Sequence, residues 1–245
     1  MSTQQLFEQL SDAGWARRMR EDRDRAEHSQ TPEQQAITAA VMRRAIALGA
    51  SGFALTGSTA RKRRTAISDL DYHVIGKRPD VSDLPGDVDV VATSATRFRS
   101  RLIEGDDFIQ WTLRCGCILY DGGVMRTGVQ LIVEGDLWPS GQRKLVTLAI
   151  HRAEVERLIQ MGDQSAAQEQ LRAMLTTAAR GLLLQARAFP LARKELPAQL
   201  EQAGYMPLAD ALRLTIDCEQ GLDEIKAGLQ ILDASLKDLR TPLAA

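Results

Sequence analysis

The chain has 245 residues, 44% hydrophobic and 26% charged, and its 31 basic residues against 32 acidic ones leave a net charge of −1. This is the composition of a folded globular protein of one or two domains, and the near-zero balance excludes a global field that would draw in a nucleic-acid backbone, so a polymer partner would need a local basic patch. No apolar run reaches the roughly 18 residues of a membrane span, and the opening MSTQQLFEQLSDAG carries no basic-then-apolar leader, so no membrane partner and a cytoplasmic, reducing setting are expected.

The first segment, Ser2 to His28, reads as helical, and its second half, RRMREDRDRAEH, mixes both charge signs in the manner of a solvated helix face. Thr31-Pro32-Glu33-Gln34 combines an N-cap, a proline at the first helical position and a capping-box glutamine. Ile37, Val41, Ala45 and Leu48 then line one face before Gly49 ends the helix, which is expected to pack against the first strand.

The stretch that carries chemistry is FALTGSTARKRRTAISDLDYHVIG, Phe53 to Gly76. An apolar strand ends in Gly57-Ser58, a small-residue turn whose backbone N–H groups and hydroxyl can cradle phosphate oxygens. Ten residues later a second strand carries Asp69 and Asp71. Side chains alternate along a strand, so Asp69, Asp71, His73 and Ile75 share one face and Leu70, Tyr72 and Val74 the other, with the two carboxylate-bearing Cα atoms about 7 Å apart. Like charges aimed into one space call for a cation, and Mg²⁺ is held by one or two carboxylates together with waters and substrate phosphates. Between the two strands, Arg61-Lys62-Arg63-Arg64 is either a solvated turn or a contact to the triphosphate or an anionic acceptor.

Lys77 to Asp87, rich in turn formers, is expected to be a loop leading into a short strand, GDVDVVATS, on which Asp87 and Asp89 share a face. Thr93-Ser94 can cap a helix through Leu102, and Asp106-Asp107 another through Arg114 that ends at Gly116. Cys117 to Tyr120 is a further apolar run, with Cys115 and Cys117 read as core residues because no metal spacing accompanies them. Val129 to Val133 suggests a strand before a turn at Gly135-Asp136. From Ser140 the pattern is helical: Leu145 to Ile159, Leu171 to Leu182 and Leu222 to Leu236 repeat at helical spacing, broken at Gly162-Asp163, Phe189-Pro190 and Gly204 to Pro207, which predicts a bundle of four or five helices. The expected domains are 1–139 and 140–245.

Gly57-Ser58 followed at this distance by Asp69-Leu70-Asp71 resembles the nucleotidyltransferase superfamily that includes DNA polymerase β, kanamycin nucleotidyltransferase and the minimal nucleotidyltransferases. Ala60 and Arg61 match the minimal members too, while Lys62 stands where they often have glycine, so the loop is expected to run differently there. Val90 to Asp121 is similar to the segment after the third carboxylate in those proteins, so the resemblance covers about Gly52 to Asp121. Beyond it, the helical region resembles the C-terminal domains of antibiotic nucleotidyltransferases in pattern and order.

The resemblance implies an α/β (α+β) domain with a mixed sheet flanked by helices, a C-terminal helical bundle and an active site in the cleft between them. It implies a third carboxylate, for which Asp89 is preferred over Asp87, and two Mg²⁺ held by Asp69, Asp71 and Asp89. The phosphates of an NTP would rest on Gly57 and Ser58, with Arg61, Lys62 and Lys144 as cationic contacts. The implied reaction moves a nucleoside monophosphate to a hydroxyl of a small molecule or protein and releases pyrophosphate. A non-catalytic, antitoxin-like protein that binds nucleotide or a partner is one alternative. A tRNA or RNA nucleotidyltransferase is the other, disfavoured by the charge balance.

Overall fold

The structure, a computed structural model, describes residues 3–62 and 69–237. The chain divides between Pro139 and Ser140 into two compact units. No helix among the described residues is long and apolar enough to cross a membrane.

The first unit opens with α1 (Thr3–Phe7), α2 (Asp12–Ser29) and α3 (Pro32–Ala47). Ser11 caps α2 by accepting from the Gly14 amide, and Thr31 and Gln34 form the reciprocal capping box that starts α3. The sheet has four strands, β1 (Gly52–Leu55), β2 (Leu70–Ile75), β3 (Val88–Thr93) and β4 (Cys117–Asp121), in the order β3-β2-β1-β4. It is mixed: β1 pairs antiparallel with both β2 and β4, whereas β2 and β3 run parallel. Residues 76–87, the expected loop, make the crossover that a parallel pair requires.

Alternation along the strands gives the sheet two apolar faces. Phe53, Leu55, Leu70, Tyr72 and Val74 face Val41 and Ala45 of α3, as the sequence predicts for that helix, although Leu48 at its end is exposed. The opposite face, with Ala54, Ile75 and Ile118, is covered by Leu6, Trp15 and three further helices: α5 (Ala95–Ile103), α6 (Asp107–Cys115) and α7 (Val124–Glu134). A single helical turn, α4 (Gly57–Ala60), comes directly after β1. Ser94 and Asp106 cap α5 and α6 at the expected positions, and Cys115 and Cys117 are buried, as core residues should be.

Two expectations are corrected here. Val129 to Val133 is not a strand but part of α7, in which Met125, Gly128, Val129 and Ile132 are buried at helical spacing. The β-branched residues suggested a strand, but the Asp121 carboxylate accepts from the amides of Gly123, Met125 and Arg126 and so nucleates a helix. The charged half of α2 is also more than a solvated face, because Arg18 and Asp22 are buried. Asp22 accepts from Arg18 and from the backbone N–H of Ile118, at 2.9 Å, and Arg18 donates to the Leu113 carbonyl at 2.5 Å, so each charge is paired and hydrogen-bonded out of water.

The second unit is helical: α8 (Gly141–Val146), α9 (Leu148–Gln160), α10 (Gln164–Gln185), α11 (Leu196–Gln202), α12 (Met206–Asp217) and α13 (Leu222–Lys237), with a short 3₁₀ turn at Arg193–Glu195. Six α-helices among the described residues replace the expected four or five. A one-residue break at Thr147 divides what reads as a single amphipathic run, and Gly204-Tyr205 separates α11 from α12. The central helix is α10, whose Leu171, Met174, Leu175, Ala178 and Leu182 form one aliphatic core with Val155, Leu200, Leu212, Ile225 and Leu229.

Candidate active site

The candidate site lies at one end of the sheet of the first unit. β1 ends at Leu55, and Gly57 turns the chain into α4 with φ +64, a left-handed angle that glycine adopts without strain. A Cβ at Gly57 would overlap the Asp71 carboxylate, lying 2.7 Å from its Cγ. The turn and the carboxylate are therefore in contact, and only glycine permits it. The Thr56 amide completes the junction by donating to the Asp71 carbonyl at 2.8 Å.

Asp71 is half-buried at the start of β2, and Asp69 is exposed immediately before that strand. In the parallel ladder Asp71 is the direct partner of Asp89. In-register residues of neighbouring strands point to the same face, with backbones about 4.8 Å apart. Asp87 sits one step outside, where its carbonyl accepts from the Leu70 amide, so it falls level with Asp69 rather than Asp71. The register thus brings Asp69, Asp71 and Asp89 to one end and one face of the sheet.

The charges at this end repel one another. Burial and then the negative charges of Asp69 and Asp89 push the Asp71 carboxyl up to about 6. Asp89, by contrast, is largely exposed, with an arginine, Arg78, 4.0 Å away. Among the described residues no three His, Cys, Asp or Glu side chains are gathered closely enough to enclose a metal ion by themselves. The donor set is nevertheless of the kind a hard divalent cation takes: it is all carboxylate oxygen and it is mutually repulsive.

Next along β2 on the same face, His73 is fully buried, with Nδ1 3.0 Å from the Thr112 hydroxyl and Nε2 3.1 Å from that of Thr93. Burial, and to a lesser degree Arg101, pulls its pKa down to about 4, so the ring is neutral and belongs to the core.

Of the cationic candidates, Arg61 and Lys62 come directly after α4. Lys62 takes φ +56, so the backbone keeps the left-handed turn that glycine would make, with lysine in its place. Arg63 and Arg64 lie outside the described residues. Lys144 lies on α8 of the second unit.

Sequence reasoning missed the residues that stand behind the turn. Cys117 of β4, paired with Leu55 in the ladder, sits with Sγ 3.7 Å from the Ala60 carbonyl, and Arg25 of α2 donates through Nε to the same sulfur at 3.1 Å. Almost a hundred residues separate Arg25 from Cys117, and neither carries a motif.

No protein-family model and no curated protein matches the sequence. Among solved structures, the chain is similar to the crystal structure of a nucleotidyltransferase-like protein from Exiguobacterium sibiricum 255-15, at 17% identity over 83% of this chain and 74% of that one, with a TM-score of 0.42. The first unit is a mixed four-stranded sheet flanked by helices, and a helical unit follows it.

Proposed function

We propose that the first unit is a Mg²⁺-dependent nucleotidyltransferase, moving a nucleoside monophosphate from an NTP to a hydroxyl of a small molecule or protein. The observation that carries this reading is the electrostatic one: three carboxylates share one sheet end and destabilise the charge on Asp71, directly against a glycine turn that only Gly57 can make. A perturbed carboxylate beside two further carboxylates and a glycine turn is a candidate functional site.

In this reading Asp69, Asp71 and Asp89 hold the ions, and the Gly57 and Ser58 turn receives the triphosphate through backbone N–H groups and the Ser58 hydroxyl. Bound Mg²⁺ would supply neutralisation of the phosphate charge and activation of the acceptor oxygen. Asp89 or a bound metal would take the acceptor proton, and Arg61 and Lys62 are proposed as cationic contacts to the phosphates.

The exposure of Asp89 and the lack, among the described residues, of a closed three-carboxylate cluster favour one second reading, nucleotide or partner binding without transfer. The test is pyrophosphate release and acceptor labelling with each NTP and Mg²⁺ in the wild type, Asp69→Asn, Asp71→Asn and Asp89→Ala. Transfer is expected to fall at least about a hundredfold in each variant, the scale of removing an electrostatic catalytic group. Wild-type turnover in Asp71→Asn would overturn the assignment. Nucleotide binding with no transfer by the wild type would establish the second reading.

A further inference from the structure

The turn that would hold the phosphates cannot hold itself. α4 is four residues long, and a helix of one turn does not recover its nucleation cost. Its own supports among the described residues are Ala60 N–H to the Thr56 carbonyl at a long 3.4 Å and two tightened bonds after it, from Arg61 to Ser58 and from Lys62 to Thr59. Even the Thr59 hydroxyl, fully buried, has no hydrogen-bond partner among the described residues. The contacts that fix the turn must come from outside it.

A continuous hydrogen-bonded rail supplies that support. The Ile118 amide donates to Asp22 at 2.9 Å, and Asp22 accepts from Arg25 Nη2 at 2.6 Å. Arg25 also donates to the Gly116 carbonyl at 2.9 Å and, through Nε, to Cys117 Sγ, while the Cys117 S–H points the chain of donors onward to the Ala60 carbonyl. The rail is tied to β4 through the Ile118 amide and Cys117, and β4 is itself paired to β1 at Leu55 and Ala54. Cys117 is completely buried, and burial pushes its thiol up while Arg25 opposes the shift, so the sulfur remains S–H and able to donate.

We propose that Cys117 and Arg25 are positioning residues for the phosphate turn, fixing Ala60 and through it Gly57 and Ser58 from the side away from substrate. This rests on the reading of Gly57 and Ser58 as a phosphate cradle. It also gives α2 a role: the helix is a strut whose buried charged edge transmits the position of β4 to the turn.

The experiment compares Cys117→Ala, which deletes the donor, Cys117→Ser, which restores one, Arg25→Gln, and Cys115→Ala as a packing control, each in the full chain. Binding of the four NTPs with Mg²⁺ is measured by calorimetry well below each variant's melting temperature. The affinity of the tightest NTP is expected to fall about five- to tenfold in Cys117→Ala and Arg25→Gln, the worth of one hydrogen bond, to recover substantially in Cys117→Ser, and to stay unchanged in Cys115→Ala. Amide exchange at residues 57–61, measured without nucleotide, is expected to speed up in Cys117→Ala and Arg25→Gln but not in Cys115→Ala. Unchanged exchange in Cys117→Ala, or a Cys117→Ser variant no better than Cys117→Ala, would overturn the positioning role. Failure of the wild type to bind any NTP would overturn the cradle reading instead, and the exchange data would still decide whether the rail holds the turn.

Discussion

Asp71 and His73 are neighbours on one strand face, and their environments push them in opposite directions. Asp71 titrates near 6 in the folded chain against an ordinary 3.8, so its protonated form is the one the fold prefers. Its contribution is greatest below about pH 4 and is lost as pH rises through 6. His73 titrates near 4 against an ordinary 6.5, so the fold prefers it neutral. Its contribution is complete above pH 6.5 and is lost as pH falls toward 4. The two slopes oppose each other across one window, and the wild-type first unit should show a shallow pH profile between 4 and 6.5. Asp71→Asn is expected to leave the His73 slope alone, giving a marked loss of stability on acidification. At pH 7 the same variant should melt higher, by about 2–4 °C, because the burial and then the repulsion that disfavour the Asp71 charge, discounted for its partial exposure, amount to roughly 1 kcal/mol. Thermal melts of wild type and variant across pH check this, and parallel profiles would show that the carboxylates do not repel.

At the scale of elements, Lys62 gives a test of whether a side chain is kept for function where the backbone favours glycine. A non-glycine residue at φ +56 carries a left-handed angle that destabilises by about 1 kcal/mol. Lys62→Gly is therefore expected to raise stability by about that amount and to weaken NTP binding, whereas Lys62→Ala should weaken binding with no gain in stability. Urea melts paired with NTP titrations separate the two effects, and unchanged affinity in both variants would make Lys62 a solvated turn residue. The elements that were legible in the sequence are those written in local chemistry. The capping box at Thr31 and the Asp106 cap satisfy nearby backbone groups, and Gly57 supplies a left-handed angle, so adjacent residues suffice to announce them. The register that sets Asp89 beside Asp71 was half legible, since alternation gave the face but pairing gave the partner. α7 was misread because Val129 to Val133 are good strand residues, and the decisive cap, Asp121, belongs to the preceding strand. The buried edge of α2 could not be read at all, because the backbone groups that neutralise Arg18 and Asp22, at Leu113 and Ile118, come from far along the chain.

At the scale of the whole molecule, the question is whether the acceptor is a polynucleotide. The net charge is −1, and four arginines of the second unit sit in ion pairs: Arg152 pairs with Glu156 and Asp233, Arg157 with Glu154, Arg172 with Glu169, and Arg213 with Asp210 and Glu201. In the first unit Arg44 pairs with Asp83 and Arg101 with Asp106. Charges paired in this way add little net positive field for a phosphate backbone to follow. In the proposed reading the basic residues after α4 meet the triphosphate. An Arg61→Ala, Lys62→Ala, Arg64→Ala variant is therefore expected to bind NTP about five- to tenfold more weakly, with the difference shrinking as salt rises, because exposed charges are screened over about 8 Å at physiological ionic strength. Neither protein should bind RNA with a steep salt slope. Titrations with NTP and with tRNA between about 50 and 300 mM salt, a range set to bracket that screening length at about 150 mM, test both expectations. Tight tRNA binding by the wild type, falling steeply with salt and lost in the variant, would replace a small-molecule or protein acceptor with a nucleic acid.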